Sequence, residues 1–515
     1  MSIRAKRWLY LTHRWAGVGL CAFFAMWFFS GVVMMYVGYP KLTPPERLGA
    51  LPALNTARVA IDPVQALRAA GLADPQEISL AASRAGVPTY RVKPARGPGV
   101  AIDAMTGQRA AAADAEVALA TAQAFFAGRY TGDCAGTVIE DVFTHAGALD
   151  SHRPLHRIDM HDPARTRLYV SSLTGEVVLD ATRTERGWNY VGAWIHWLYP
   201  FRGNLFDGYW HQIVVWLSVA GVVLTITGSI VGILRWRFAR PYASGSRSPY
   251  REPFMHWHHI AGLAFAAITL TWIFSGLMSM NPWKVFSSAA PPLDVTAYRD
   301  ARLDHAASLT TVARLDAMRE RQAAPLKELS WTVAAGRPIV LAEAAGTRPV
   351  VFDGVSGMPT AIDAAALRAA AARLRSNASV RTIEILQHYD TYYYAREEHA
   401  MLGHVEKPLP IWRVVFDDAQ ATWVYLDPHT GRIVQHTDAP KRVGRWLFAM
   451  LHSWDWLPLI TRRPLWDIVM IVLSLGGLAL SATGIVIGVR RLKRKAGSGD
   501  RAAAAAAAAA AVRRR

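Results

Sequence analysis

The chain has 515 residues, 52% of them apolar, with a net charge of +18 and only two cysteines, Cys21 and Cys134. That length accommodates a membrane bundle together with more than one soluble domain. The two cysteines stand in different settings, one inside an apolar run and one in a polar insert, which argues against a disulfide framework and against a cysteine metal site.

The first apolar stretch, residues 16–37, lacks Lys, Arg, Asp and Glu and has the roughly 20 residues that cross a hydrocarbon core. Arg4, Lys6, Arg7 and Arg14 precede it. Its apolar run is too long for a signal peptide and has no small-residue cleavage site before Tyr39-Pro40, so it reads as an uncleaved anchor. Three more spans follow, at 212–234, 256–280 and 468–489. The basic residues cluster before the first span, between the second and third (235–255), and after the fourth (490–515). By the positive-inside rule these regions and both termini are cytoplasmic, and the two long inserts, 45–187 and 285–440, lie outside. The same bias accounts for the net charge, so no nucleic-acid partner is expected; the lipid bilayer is. The alanine run from Ala502 to Ala511 reads as a low-complexity extension without chemistry.

The chain also repeats itself. His13-Arg14-Trp15-Ala16-Gly17, leading to Phe29-Ser30-Gly31, recurs as His258-His259-Ile260-Ala261-Gly262, leading to Phe274-Ser275-Gly276, at a constant separation of 245. Thr174-Gly175, His196 and Thr227-Gly228 recur as Thr430-Gly431, His452 and Thr483-Gly484, at 256. Two tandem halves of one plan are implied. Each insert also carries two hairpin signals, in which alternating apolar residues run into a turn: Val100–Asp103 before Thr106-Gly107, Leu168–Val170 before Thr174-Gly175, Val350–Asp353 before Ser356-Gly357 and Val424–Asp427 before Thr430-Gly431. Alanine-rich helical stretches lie between them, at 57–70, 112–127 and 361–374. The fold class that follows is a membrane protein of four transmembrane helices in two tandem repeats, plus four small α+β units, two per half, joined to the spans through interfacial segments at 188–211 and 441–467.

The histidines carry the chemistry. His13, His256, His258 and His259 stand at the cytoplasmic ends of the first and third spans, and His196, His211 and His452 at the outer ends of the second and fourth. Ionisable groups at membrane depth are costly and so become functional candidates, although a single histidine at a span edge also sits well among headgroups. Both halves enter the membrane from the same side, so the axis relating them runs along the membrane normal and repeat mates lie at equal depth on opposite sides of it. His13 with His258, and His196 with His452, are such mates, and axial ligands must meet from opposite faces of one porphyrin. Two b-type haems are expected, since no Cys-x-x-Cys-His is present for covalent attachment. His211 is the alternative at the outer site, although its mate is Asp467, a poor haem ligand. His256 and His259 are the alternatives at the inner site. Gly17 and Gly262, four residues past the inner pair, would bare one helix face to a flat macrocycle.

Elsewhere the signals are weaker. His145, His152, His156 and His161 are interleaved with arginines and fit no tight metal set. His388, Tyr389, Asp390, Tyr392 and Tyr393 suit a packing strand between domains or the lip of a site for an iron chelate. Tryptophans near the span ends make an aromatic belt. No nucleotide-binding fingerprint is present, so nothing points to NAD or flavin.

The Asp-x-x-Thr-Gly hairpins resemble PepSY domains, and the His-Arg-Trp-x-Gly opening of the first span resembles the PepSY-associated transmembrane family of iron-regulated membrane proteins. The resemblance covers residues from about His13 to about Arg491. It implies an inner-membrane protein with periplasmic inserts that holds two b-type haems, takes electrons from a cytoplasmic or quinol donor and reduces a ferric siderophore or other Fe(III) chelate. Two other classes compete with that reductase. One is a haem-free membrane anchor whose PepSY units restrain a periplasmic partner. The other is a transporter, which predicts midplane charges and broken helices that the spans lack.

Overall fold

The computed structural model describes residues 2–72, 75–94, 97–308, 310–400, 403 and 405–513, with the backbone alone at 305, 306, 308 and from 498 onward. Residues 514 and 515 of the basic tail, and the side chains of its alanine run, lie outside the described residues. The chain divides into two compact units: a membrane unit made of the chain up to Tyr36, Val191–Ser287 and the chain from Val443, and an insert unit made of Val37–Tyr190 and Ser288–Arg442.

Among the described residues, four helices of the membrane unit are long and apolar enough to cross a bilayer. They run Ile3–Met34, Trp210–Arg235, Pro253–Ser279 and Leu465–Arg513. The first begins well before the apolar stretch and takes in Arg4, Lys6 and Arg7, because the backbone needs no apolar side chains to stay helical once Ser2 caps it by accepting from the Ala5 N–H at 3.2 Å. The fourth continues through the basic run and the alanines, among the strongest helix formers. The first span packs on the second and the fourth, and the third also packs on the second and the fourth, so the first and third stand diagonally across the bundle. Leu20, Phe24, Phe28, Leu224 and Ile273 form its apolar centre.

The insert unit is built from antiparallel sheets. Its strands are β1 (Pro75–Arg84), β2 (Val87–Pro94), β3 (Val100–Asp103), β4 (Gly132–Val138), β5 (Leu155–Met160), β6 (Arg167–Ser171), β7 (Val177–Ala181), β8 (Glu328–Ala334), β9 (Arg337–Glu343), β10 (Val350–Asp353), β11 (Val380–Leu386), β12 (Ile411–Phe416), β13 (Trp423–Leu426) and β14 (Ile433–Thr437). The four expected hairpin units make three sheets, not four. β1–β3 and β8–β10 join edge to edge in one six-stranded sheet, of order β10-β9-β8-β1-β2-β3. The junction pairs Ser79 with Ser330 and Leu80 with Leu329. Each three-stranded meander has two edges of unpaired backbone groups, and joining β1 to β8 satisfies one edge of each. One core lies under the joined sheet, drawing Ile78, Leu80 and Tyr90 from the first half and Leu315, Leu329 and Trp331 from the second.

The other two sheets, β4-β5-β6-β7 and β11-β12-β13-β14, share one register: Arg157 pairs with Tyr169 as Arg413 pairs with Tyr425. Their turns close as the hairpin signals require. Asp427 accepts from the Thr430 hydroxyl at 2.6 Å while Gly431 takes φ +69°. Each of these turns is tied to the six-stranded sheet by an ion pair of opposite sense. Glu176 accepts from Arg91 of β2 at 2.7 Å, whereas Arg432 donates to Glu343 of β9 at 2.8 Å.

Candidate functional site

Two histidine pairs meet inside the membrane unit. His13 lies on the first span and His258 on the third, and their ring centroids are 6.4 Å apart with planes inclined by 34°. The rings of His196 and His452 are 6.1 Å apart at 77°. A first-row metal bonds an imidazole nitrogen at about 2.0–2.1 Å and that nitrogen lies about 1.1 Å from its ring centre, so two imidazoles opposed on one metal have centres about 6.3 Å apart. Both pairs stand at that separation. On the first span 17 residues separate His13 from Ser30, which touches His196; at 1.5 Å per residue the two pairs are about 25 Å apart along the helix.

Hydrogen bonds orient all four rings through Nδ1. That of His13 donates to the Leu224 carbonyl at 3.3 Å and that of His258 to the Leu480 carbonyl at 3.2 Å. At the other pair the partners are serine hydroxyls, Ser30 for His196 at 2.9 Å and Ser275 for His452 at 3.0 Å. Ser30 spends its own hydrogen on the Met26 carbonyl at 2.6 Å and Ser275 on the Trp272 carbonyl at 3.0 Å. Each serine therefore accepts from Nδ1–H, which assigns the tautomer whose Nε2 carries a lone pair. Among the described residues none of the four Nε2 atoms makes a hydrogen bond. A neutral imidazole with Nδ1–H held and Nε2 open is the form that ligates a metal. The donors present thus fit a bis-histidine haem at each level.

The backbone makes room for the rings. A Cβ placed on Gly228 would fall 2.6 Å from Cε1 of His13, and one on Gly484 would fall 3.3 Å from Cε1 of His258. Gly31 and Gly276 lie likewise beside His196 and His452, at 3.6 and 3.8 Å. Gly17 and Gly262, singled out from the sequence, are looser: a Cβ there would meet one leucine each, at 3.7 and 3.6 Å.

His196 stands well before the second span in sequence, and local backbone geometry brings it in. A π turn at Tyr190–Trp194 precedes it and Leu198 turns left-handed at φ +55°. His452 follows a π turn at Trp446–Met450 and precedes Trp454 at φ +48°. The extra residue of a π turn re-aims the side chains that follow, and the left-handed residue ends the helix two positions beyond each histidine.

The alternative ligands lie elsewhere. His211 is exposed at the start of the second span. Its mate Asp467 is buried and accepts from Tyr36 at 3.1 Å and Arg463 at 2.7 Å. His259 uses both nitrogens, on Ser248 at 2.8 Å and the Gly232 carbonyl at 2.9 Å, so it has no lone pair to give. His256 bonds the Tyr250 carbonyl at 3.1 Å and faces Trp257.

In the insert unit His145, His152 and His161 pair with three different carboxylates, Glu140, Glu176 and Asp133, and His156 bonds the Ala113 carbonyl; no group of three or more His, Cys, Asp or Glu side chains placed to hold a metal ion exists among the described residues. The stretch from His388 to Tyr393 is a turn after β11 and not a strand, because the Asp390 carboxylate accepts from the Tyr392 and Tyr393 N–H groups at 2.9 and 2.8 Å. Tyr393 is fully buried, stacked on Tyr425 at 4.9 Å with its hydroxyl on the Pro408 carbonyl, and it has no face left for a ligand. Asp390 is paired with Arg413, while His388 and Tyr389 are exposed.

Four spans with two inserts of antiparallel sheet define a multi-span membrane protein whose polar chemistry is concentrated in paired histidines. The chain belongs to the family described as the PepSY-associated TM region, which it matches over residues 10–491. None of the curated proteins compared with it gives a match.

Proposed function

We propose that the chain is a transmembrane electron conduit holding two b-type haems, one between His13 and His258 and one between His196 and His452, and that it reduces ferric siderophores or other Fe(III) chelates at the outer face. One observation carries this reading: two imidazole pairs stand at the separation that two metal–nitrogen bonds require, with Nδ1 anchored in all four rings.

When bound, haem supplies one-electron transfer. The chain does the rest. The Leu224 and Leu480 carbonyls and the Ser30 and Ser275 hydroxyls fix ring orientation and tautomer, and the apolar layer of Leu20, Phe24, Phe28 and Ile273 keeps water from the space between the two levels. Electrons enter from a cytoplasmic or quinol donor and leave toward the chelate. Hard oxygen ligands hold Fe(II) less tightly than Fe(III), so reduction releases the iron.

The reading also takes the two halves as tandem repeats with PepSY-like inserts, supported by the shared register of β4–β7 and β11–β14. It places the protein in a bacterial inner membrane with both termini cytoplasmic, supported by the basic flanks of the spans. A pyridine haemochrome assay on the purified full chain, made with ample haem, tests it. Two b-type haems per chain are expected; a haem-free protein overturns the conduit and favours a PepSY anchor that restrains a periplasmic partner.

A further inference from the structure

The two four-stranded sheets share a register but not a surface chemistry. On the second, Arg442 lies over the ring of Trp423 at 4.1 Å, Tyr392 packs edge-on against the same indole at 5.3 Å, and Lys407 lies over Tyr393 at 5.2 Å. Gln435 links the two ends, accepting from Lys407 at 2.5 Å and donating to the Tyr392 carbonyl at 3.2 Å. Arg413 of the same face is balanced by Glu384 and Asp390. Arg442 and Lys407 are not: among the described residues neither forms an ion pair, and Nη1 of Arg442 is buried without a hydrogen-bond partner.

The first sheet is an internal control. At the positions 256 residues earlier, Arg167 stands where the second sheet has Trp423, and it is paired with Asp159 at 2.6 Å. Arg186 stands at the place of Arg442 and donates to two carbonyls, those of Ala181 and Arg165. Leu179 takes the place of Gln435 and Ser151 that of Lys407. At these positions the first sheet is thus made without an unpaired cation on an aromatic ring, and the second sheet's arrangement is not needed to build the fold. Burial also pulls the Lys407 ammonium down to about 8, a strain that a neighbouring anion would relieve.

We propose that the outward face of β11–β14, with Arg442 over Trp423 and Lys407 beside Tyr393, binds an anionic chelate bearing aromatic rings, which is the chemistry of a ferric catecholate. The phenolate oxygens would meet the two uncompensated cations while a catechol ring packs against the half-buried Trp423 indole. A neutral, non-aromatic hydroxamate chelate satisfies neither requirement. The proposal names the substrate class for the reductase reading and rests on it for the role of the bound chelate.

The test is equilibrium dialysis of radio-iron-labelled ferric 2,3-dihydroxybenzoate against the detergent-purified full chain, with haem counted on the same samples. Wild type retains the chelate and does not retain ferric acetohydroxamate. Arg442→Gln and Lys407→Gln each weaken retention tenfold or more, and Arg186→Gln does not. Equal retention by wild type and both second-sheet variants overturns the platform, as does a wild type that retains no catecholate chelate. Retention by a chain that carries no haem leaves the platform standing and removes only the reductase.

Discussion

His13 rests against the bare backbone of Gly228: a methyl group there would fall 2.6 Å from Cε1 and 3.0 Å from Nδ1 of the imidazole. Gly228→Ala therefore pushes His13 off the Leu224 carbonyl and out of line with His258, at a cost of about 1–3 kcal/mol for the overpacking. The expected result is one haem per chain in place of two, read by haemochrome assay. Gly484→Ala is expected to be milder, since its closest neighbour is the movable Cys21 sulfur and His258 is 3.3 Å away.

Ser30 and Ser275 act on the other pair through Nδ1. Removing the orienting partner of a metal-bound histidine lowers metal affinity about 10–100-fold. Ser30→Ala and Ser275→Ala are each expected to loosen one haem by about that factor and to leave the other in place. Haem loss to apomyoglobin, followed as two phases, measures this; a single unchanged phase contradicts the assignment.

The insert unit should show a pH signature of its own. The carboxyl of Asp180 is pushed up to about 7, first by burial and then by the carboxylates of Glu46 and Glu185. A raised folded pKa means that the folded chain holds this proton more tightly than the unfolded chain, so Asp180 costs stability increasingly as pH rises from the ordinary aspartate range to about 7. Asp180→Asn should raise the melting temperature at pH 8 and change it little at pH 4. An equal shift at both values contradicts the burial of this charge.

Reporter fusions near residues 120, 245 and 370 test the orientation. Activity of a periplasmic reporter at the first and third positions, and of a cytoplasmic reporter at the second, is expected from the arginines between Arg235 and Arg251. The opposite pattern would exchange the roles of the two haem levels.

Much of this arrangement was legible in the sequence because motifs recurring at a constant spacing mark which residues correspond. The separations of 245 and 256 named His13 with His258 and His196 with His452, and the rings of each pair do lie together. What was not legible depended on partners far along the chain or on backbone shape. Phe29-Ser30-Gly31 was visible as a repeated motif, but Ser30 finds its role only beside His196, 166 residues away. The π turns before His196 and His452 have no residue signature, so both histidines read as interfacial. The fusion of two meanders through β1 and β8 was hidden because an edge strand carries no mark of which other edge will pair with it. The aromatic stretch after β11 has strand-forming residues, yet Asp390 folds it into a turn and Tyr393 joins the core.

The pairing of the ligands is the central claim, and haem content with spin state across four single variants tests it most directly. His13→Ala and His258→Ala should each lose the inner haem and keep a low-spin outer haem that an external reductant still reduces. His196→Ala and His452→Ala should do the reverse, with ferric-chelate reduction abolished while the inner haem still accepts electrons. Two low-spin haems retained in both His13→Ala and His452→Ala would contradict the account.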